Sequence, residues 1–496
     1  MEMNFDCKYI HHLKSVINET KNQEITQEYR LPEDMPEIGS VLGAWGQCVV
    51  KEKRWLGNQV EVAGEAIVSV AYLEASEAVQ CIETCVPFQF IWDIQNIGKD
   101  GHINVVCNAV DVEARVSSAR KIIIRAEILA NVNAFVSCES TISVPDESAD
   151  HIQFLTRDYQ FLVPMACGEK AFPINEMIKV SATYPQIHRM LKSFVRLEIT
   201  DKKVITSKVV FRGVALISLS YLSNDGAICS WEGEIPFSQY ANLDGEYDDC
   251  YIRLQPVLSG VENKYNAENE IAVSIGVICQ YTVFGYQNLR LIKDAYAPGM
   301  YTEIHESLLN IPTLLLHEEE LVHMEHQVDI PARTVMDVSV LPGKPILNHE
   351  NSREQVLLPV EIKIIYSDMD SKIQCEHIRI TKQIDEAADV DVHKSYDCVL
   401  SGTPRASVSA SGCCVGFDVL VCSMQPAEES LRVIESICTY EQEPNEKKAS
   451  LIIGRANGCS LWEIGKKYGA SVDRIKKINS LSAEPEYDKV LIVPIS

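Results

Sequence analysis

Apolar residues recur at every second position over long stretches of the chain. Val209, Phe211, Gly213, Ala215, Ile217, Leu219 and Tyr221 share one face of an extended strand. Val60, Val62, Gly64, Ala66, Val68, Val70 and Tyr72 repeat the pattern, as do Val356, Leu358, Val360, Ile362, Ile364 and Tyr366. Period two is the spacing of a strand that rests one face on a core. The opposite face is mixed, with Arg212, Ser218 and Ser220 in the Val209 run, which predicts partial solvation or cover by a neighbour. Turn residues follow, Asn224-Asp225-Gly226 in one case and Asp368-Met369-Asp370 in another.

The three runs are copies of one another. One offset of 149 carries Gly64 onto Gly213, Tyr72 onto Tyr221 and Pro87-Phe88 onto Pro236-Phe237. The same offset carries Ile103, Ile122 and Phe135 onto Ile252, Ile271 and Phe284. A third copy lies a further 145 residues on, and its Asp397-Cys398 and Leu400-Ser401-Gly402 are similar to Asp249-Cys250 and Leu258-Ser259-Gly260. Such repetition predicts tandem units. Each copy reads as a β-sandwich or partly open barrel of about 110–140 residues. Pro32, Pro36, Pro164, Pro173 and Pro331 mark the starts of the copies.

Two stretches break the pattern. Tyr301 to His326, rich in Leu and Glu (Glu303, Ile304, Leu308, Leu309, Leu314, Leu315, Leu316), predicts a linker helix. His317 and His323 within it lie six apart, not the i,i+4 of a zinc-hydrolase helix. The last fifty residues change from strand to helix spacing. Ser460-Leu461-Trp462-Glu463 is a capping box, Trp462, Ile464 and Tyr468 follow, and Gly469 is the stop. Ser471 caps a second helix with Val472, Ile475 and Ile478 on its apolar side, ended by Asn479-Ser480-Leu481. Leu451-Ile452-Ile453 opens and Val490-Leu491-Ile492-Val493-Pro494 closes the unit as strands, giving β-α-α-β.

The fold class expected is therefore mainly β: three tandem sandwich- or barrel-like repeats followed by a small α+β domain. The division is an N-terminal segment 1–27, repeats at 28–155, 156–300 and 325–440, a helical linker 301–324, an acidic linker 441–450 and the terminal domain 451–496. In this reading Leu461, Ile464 and Ile475 are core, and Trp462 is an interface anchor if exposed.

The chain of 496 residues carries 45 Lys+Arg against 70 Asp+Glu, a net charge of −25. That balance argues against nucleic acid and anionic membrane, which are bound through Lys and Arg. No segment approaches the roughly 20 apolar residues of a membrane span. The acidic start, Met-Glu-Met-Asn-Phe-Asp, is not a secretion signal, so an intracellular chain is expected. Residues 451–496 hold seven Lys/Arg and five Asp/Glu, a local +2, which leaves −27 on everything upstream. The 17 cysteines lack zinc spacing, Cys81/Cys85 and Cys413-Cys414 included, and are expected to be thiols that pack as small hydrophobes. With no phosphate loop, nucleophile elbow or His-x-Glu metal site, the expectation is a protein without catalytic residues, cofactor or metal.

The terminal string Gly458-x-Ser460-Leu461-Trp462-x-Ile464-x-x-x-Tyr468-Gly469, with Val472, Ile475, Asn479, Leu481 and Val493-Pro494, resembles a LysM domain. Many LysM modules bind N-acetylglucosamine polymers in a groove between the first strand–helix loop and the second helix–strand loop. That resemblance implies a partner-binding groove formed by Gly458, Cys459, Ser460, Leu461, Trp462, Asn479, Leu481, Tyr487 and Asp488. Here Cys459 stands where an acid is usual, and Tyr487-Asp488 where Pro-Gly is usual, which favours a protein over a glycan in the groove. The repeats, with a Gly-containing strand ending in Tyr and the segment Asp294-Ala295-Tyr296-Ala297-Pro298, resemble SPOCS domains. Tandem SPOCS repeats with a terminal LysM resemble the SipL-like spore coat morphogenetic family. The resemblance implies a non-enzymatic scaffold in the mother-cell cytoplasm, at the forespore surface and then in the coat. Its LysM would bind a SpoIVA-like coat ATPase, with other coat proteins as further partners. The alternative is a LysM-mediated binder of peptidoglycan in wall or cortex.

Overall fold

The computed structural model describes residues 2–3, 6–95, 101–144, 151–266, 269–350, 353–387, 394–409, 412–441 and 450–494. After β1 (Glu2–Met3), a first unit holds β2 (Asp6–Arg30), β3 (Ile38–Leu56), β4 (Gln59–Glu74), β5 (Val79–Asp93), β6 (His102–Ser118) and β7 (Lys121–Val144). A second holds β8 (Gln153–Lys179), β9 (Ile187–Ile205), β10 (Lys208–Ser223), β11 (Ile228–Asn242), β12 (Cys250–Tyr265) and β13 (Glu270–Tyr296). A third holds β14 (Met300–Val328), β15 (Ala332–Pro342), β16 (Ile346–Glu350), β17 (Arg353–Asp368), β18 (Ile373–Ala387), β19 (Ser395–Ser409) and β20 (Gly412–Glu441). A terminal module follows with β21 (Leu451–Arg455), α1 (Leu461–Tyr468), α2 (Val472–Asn479) and β22 (Val490–Pro494). The molecule is mainly β, as the period-two runs predict, with a small α+β end.

Each unit is built the same way. The first, last and penultimate strands form one antiparallel sheet (β2-β7-β6, β8-β13-β12, β14-β20-β19). The middle strands form the other (β3-β4-β5, β9-β10-β11, β15-β17-β18, with β16 beside β17). The inner faces of the two sheets enclose one apolar core per unit, the arrangement of a sandwich. The central strands β4, β10 and β17 carry the three matching runs, and their inward residues are almost fully buried.

The repeated side chains have physical reasons. Gly64 pairs across the ladder with Phe88, and Gly213 with Phe237. In both units the ring lies against the glycine, where a Cβ would also meet a neighbouring carbonyl, that of Val49 or Glu198. In the third unit the corresponding pair is Leu358 and Lys382. Glycine and its covering aromatic thus change together in the third copy. Tyr72 and Tyr221 donate their hydroxyls to the carbonyls of Pro36 (3.1 Å) and Pro185 (3.0 Å), closing the same loop in each unit.

The three units pack head to tail in a closed cycle. β5 of the first lies on β9 of the second, β11 of the second on β15 of the third, and β18 of the third on β3 of the first. A single apolar cluster at the centre draws equivalent residues from all three, Leu42, Leu191 and Met336 with Val79, Ile228 and Ile373. This explains why alternation fades at the ends of β4, β10 and β17. Residues 68–72, 219–223 and 362–367 are buried on both faces, one by their own core and one by the neighbouring units. Polar side chains bridge the joints. Gln280, fully buried, bonds both the N–H and the C=O of Val105 at 2.8 Å. Lys192 pairs with Asp337, and Lys363 donates to the carbonyls of Ala44 (2.9 Å) and Val112 (2.7 Å). A second three-way cluster forms where the long strands run past the sandwiches: Ile10 and Ile142, Phe161 and Leu289, Leu309 and Val433.

Several expectations are corrected. Residues 301–324 are not a helical linker: they belong to β14, which pairs with β20 from Met300 to Val328. Leu and Glu favour helix intrinsically, but the long ladder outweighs that propensity. His317 and His323 accordingly share a strand face; one stacks on Tyr251 and the other bonds Asp418 at 2.7 Å. Much of the segment 1–27 is strand β2, paired with β7. Pro164 and Pro173 mark no boundary but lie within β8, an edge strand whose free side tolerates a missing N–H. Residues 442–449 of the acidic linker lie outside the described residues.

The 17 cysteines stand as thiols. Burial pushes Cys81, Cys107, Cys167, Cys279 and Cys398 up to about 12, and Cys375 and Cys422 up to about 11. A folded-state pKa raised above the unfolded value contributes stability that is complete below pH 9 and lost as pH climbs toward 12. Lys53 and Lys363, pushed down by burial, act in the opposite direction but are fewer. The urea midpoint is therefore expected to fall steadily above pH 9; a midpoint flat to pH 11 would contradict the burial of these thiols.

Candidate functional site

The terminal module folds from strong local signals. Glu463 N–H donates to Ser460 Oγ (3.2 Å), and the Glu463 carboxylate accepts from Ser460 N–H (2.8 Å), the reciprocal cap read in the sequence. Gly469 ends α1 at φ 61°, a left-handed conformation that suits glycine. Leu461, Ile464 and Ile475 face inward with Ala456, Ala470, Leu491 and Val493, and form the module's core.

The nine residues expected to line a groove have separate fates. Leu461 is core. Ser460 is committed to the cap. Asn479 clamps α2 to β22: its amide donates to Ile475 O (2.9 Å) and Ile492 O (2.7 Å) and accepts from Ile492 N–H (2.8 Å). Leu481 packs partly buried against the core. Gly458, Cys459, Tyr487 and Asp488 are exposed. The two loops nevertheless touch. The Tyr487 ring lies over Gly458, within 2.9 Å of where a Cβ would sit, and Leu461 N–H donates to Glu484 Oε2 at 2.7 Å. Glu484, on the helix–strand loop, was missed because nothing local marks an acid as the cap of a helix 23 residues upstream.

Trp462 is held by the second unit. Its indole N–H donates to Asp294 Oδ2 at 2.9 Å, and its ring meets Tyr296 edge-on with centroids 4.8 Å apart. Lys466 reaches the same carboxylate at 2.6 Å, and Tyr296 OH donates to Ala470 O at 2.9 Å. Gly465 is the one residue that admits Tyr296, since a Cβ there would overlap the phenol oxygen. Gly299 N–H completes the contact on Gly469 O (3.1 Å). The segment Asp294-Ala295-Tyr296 is thus the seat of the terminal module. Asp294→Ala removes a charged hydrogen bond of about 1.5–3 kcal/mol. Amide exchange at residues 465–470 and 295–299 is expected to accelerate at least tenfold, and unchanged protection would show that the contact holds nothing in place.

The module's sheet has an unburied apolar face. Leu451 (55 %), Ile453 (74 %), Val490 (55 %) and Ile492 (38 %) point away from the core on two paired strands. Tyr487 is likewise 69 % exposed. A cluster of this kind on a small module suits contact with another macromolecule.

The fold defines a class: three tandem two-sheet units closed on one another and carrying a small α+β module. The family model described as SipL, SPOCS domain matches residues 37–117 and 186–265, which span β3–β6 and β9–β12, the same four strands of two units. The first and second units are therefore similar to the SPOCS domain, and the third repeats their strand order in β15, β17, β18 and β19. Comparison with curated proteins and with solved structures gives no match. Among the described residues, no helix is long and apolar enough to cross a membrane.

Proposed function

We propose that the chain is a non-enzymatic scaffold of spore coat assembly, acting in the mother-cell cytoplasm at the forespore surface. The observation that carries this reading is the SPOCS-domain match on the same four strands of two units. In this account the closed body is a rigid platform, and the terminal module, of LysM type, engages a SpoIVA-like coat morphogenetic ATPase. The contact of Tyr487 with Gly458 supports a protein over a glycan, because a sugar chain would have to displace the ring from between the loops. The partner surface is assigned to the outer sheet face with Tyr487, since Trp462 is occupied by Asp294 and Tyr296.

The test sets two ligands against the purified full chain, a SpoIVA-like ATPase in a pull-down and peptidoglycan in a sedimentation assay. Retention of the ATPase without glycan sedimentation is expected. Robust sedimentation with no ATPase retained would replace the scaffold reading by a glycan-binding one.

A further inference from the structure

Where the third unit closes on the first, the joint carries a set of side chains that the other two joints lack. Glu361 on β17 faces Arg379 on β18 across the ladder, and Lys363 faces His377. β6 of the first unit brings Asp111 to them, at a bulge in its pairing with β7. The equivalent positions of the second unit are Leu216, Ser218, Glu232 and Glu234, and those of the first are Ile67, Ser69, Glu83 and Cys85.

Arg379 takes one oxygen from each carboxylate, Asp111 Oδ2 and Glu361 Oε1 (3.0 Å). Arg125 reaches the same Asp111 oxygen at 3.3 Å. Lys363 spends its ammonium on the carbonyls of Ala44 and Val112. Three atoms stand out: among the described residues Asp111 Oδ1, Glu361 Oε2 and His377 Nε2 are buried with no aligned hydrogen bond, although Glu361 Oε2 and His377 Nε2 lie 3.4 Å apart. Asp111 is only 3 % exposed, and one donor atom of each residue lies within 4.8 Å of the others. An unpaired buried acceptor costs about 1–3 kcal/mol, and lone pairs facing one another repel. A proton on His377 answers one carboxylate; a metal ion answers all three groups.

We propose that Asp111, Glu361 and His377 bind a divalent first-row metal ion, manganese or zinc, that pins the third unit to the first. Mixed imidazole and carboxylate donors suit these ions. Bonds of about 2.0–2.2 Å place tetrahedral donors about 3.3–3.6 Å apart, and His377 Nε2 already lies 3.4 Å from Glu361 Oε2. Arg379, bound to the other oxygen of each carboxylate, is the outer partner of the site. The His377 side chain, 28 % exposed, leaves a route of entry.

Manganese is the probe of choice, because the chain's many thiols hold it poorly. Metal-free full-length protein is titrated with Mn2+ while the free-ion electron paramagnetic resonance signal is followed, and melting is recorded with and without Mn2+. One saturable site per chain and a higher melting temperature with Mn2+ are expected. His377→Gln should weaken binding at least tenfold and abolish the rise. If that variant loses its circular dichroism spectrum, Glu361→Gln takes its place. Undiminished free-ion signal in the wild type, or equal binding by a folded variant, would overturn the site.

Discussion

Lys192→Met is expected to cost about 3–5 kcal/mol of unfolding free energy. Lys192 and Asp337 are 3 % and 6 % exposed and pair where the three units meet. Ser220 Oγ donates to the second Asp337 oxygen at 2.7 Å, and the Lys192 ammonium lies 5.3 Å from the centroid of Trp45, a first-unit ring. The first unit has Gly43 at the equivalent position, where a Cβ would collide with Trp45. One position thus holds Gly, Lys and Asp in the three copies, and the lone charges answer each other across the centre. Removing the lysine leaves the buried Asp337 side chain without its ammonium partner while the Ser220 hydroxyl still donates to it, which is the expensive outcome. The double variant Lys192→Met, Asp337→Leu removes both charges and should recover most of the loss. Urea unfolding followed by tryptophan fluorescence checks both. A single variant costing under about 1 kcal/mol would mean that the joint is wet.

Gly213→Leu is the second large effect, about 3 kcal/mol or more. Overpacking alone costs about 1–3 kcal/mol, and here the new side chain meets both the Phe237 ring and the Glu198 carbonyl. The third unit shows how a leucine is admitted. Leu358 faces Lys382, not an aromatic, and the neighbouring strand β15 has already ended at Pro342. Adding Phe237→Lys to Gly213→Leu is therefore expected to recover only part of the stability, since the carbonyl remains. Full recovery in the melting temperature would show that the ring is the whole obstacle. No loss in the single variant would contradict the close packing of β10 on β9.

Local patterns were legible in the sequence, and long-range ones were not. Period two marked β4, β10 and β17, because one face of each meets a core inside its own unit. The offsets of 149 and 145 hold strand by strand from β3 to β5. The cap at Ser460 and the stop at Gly469 were readable because their partners lie within a turn. β14 was misread because its Leu and Glu content favours helix, while the partner that makes it a strand begins more than 80 residues later. Trp462 was legible as a special residue, but its partner Asp294 is 168 positions away and nothing local joins them. Asn479 reads as the end of a helix and a groove residue, yet its three bonds to Ile475 and Ile492 make it a clamp. The cyclic closure of the units left a faint trace, the mixed outer face of the Val209 run, whose Ser220 is buried.

The most direct test of the scaffold account is interferometry of a SpoIVA-like ATPase on the immobilised full chain, wild type against Ile453→Asp. Ile453 is 74 % exposed on the module's outer face, so the change should spare the fold. The account predicts binding to the wild type and at least tenfold weaker binding to the variant, the loss of about 1.4 kcal/mol or more expected of a buried contact residue. Equal affinity of the two proteins, or no binding by the wild type, would contradict it.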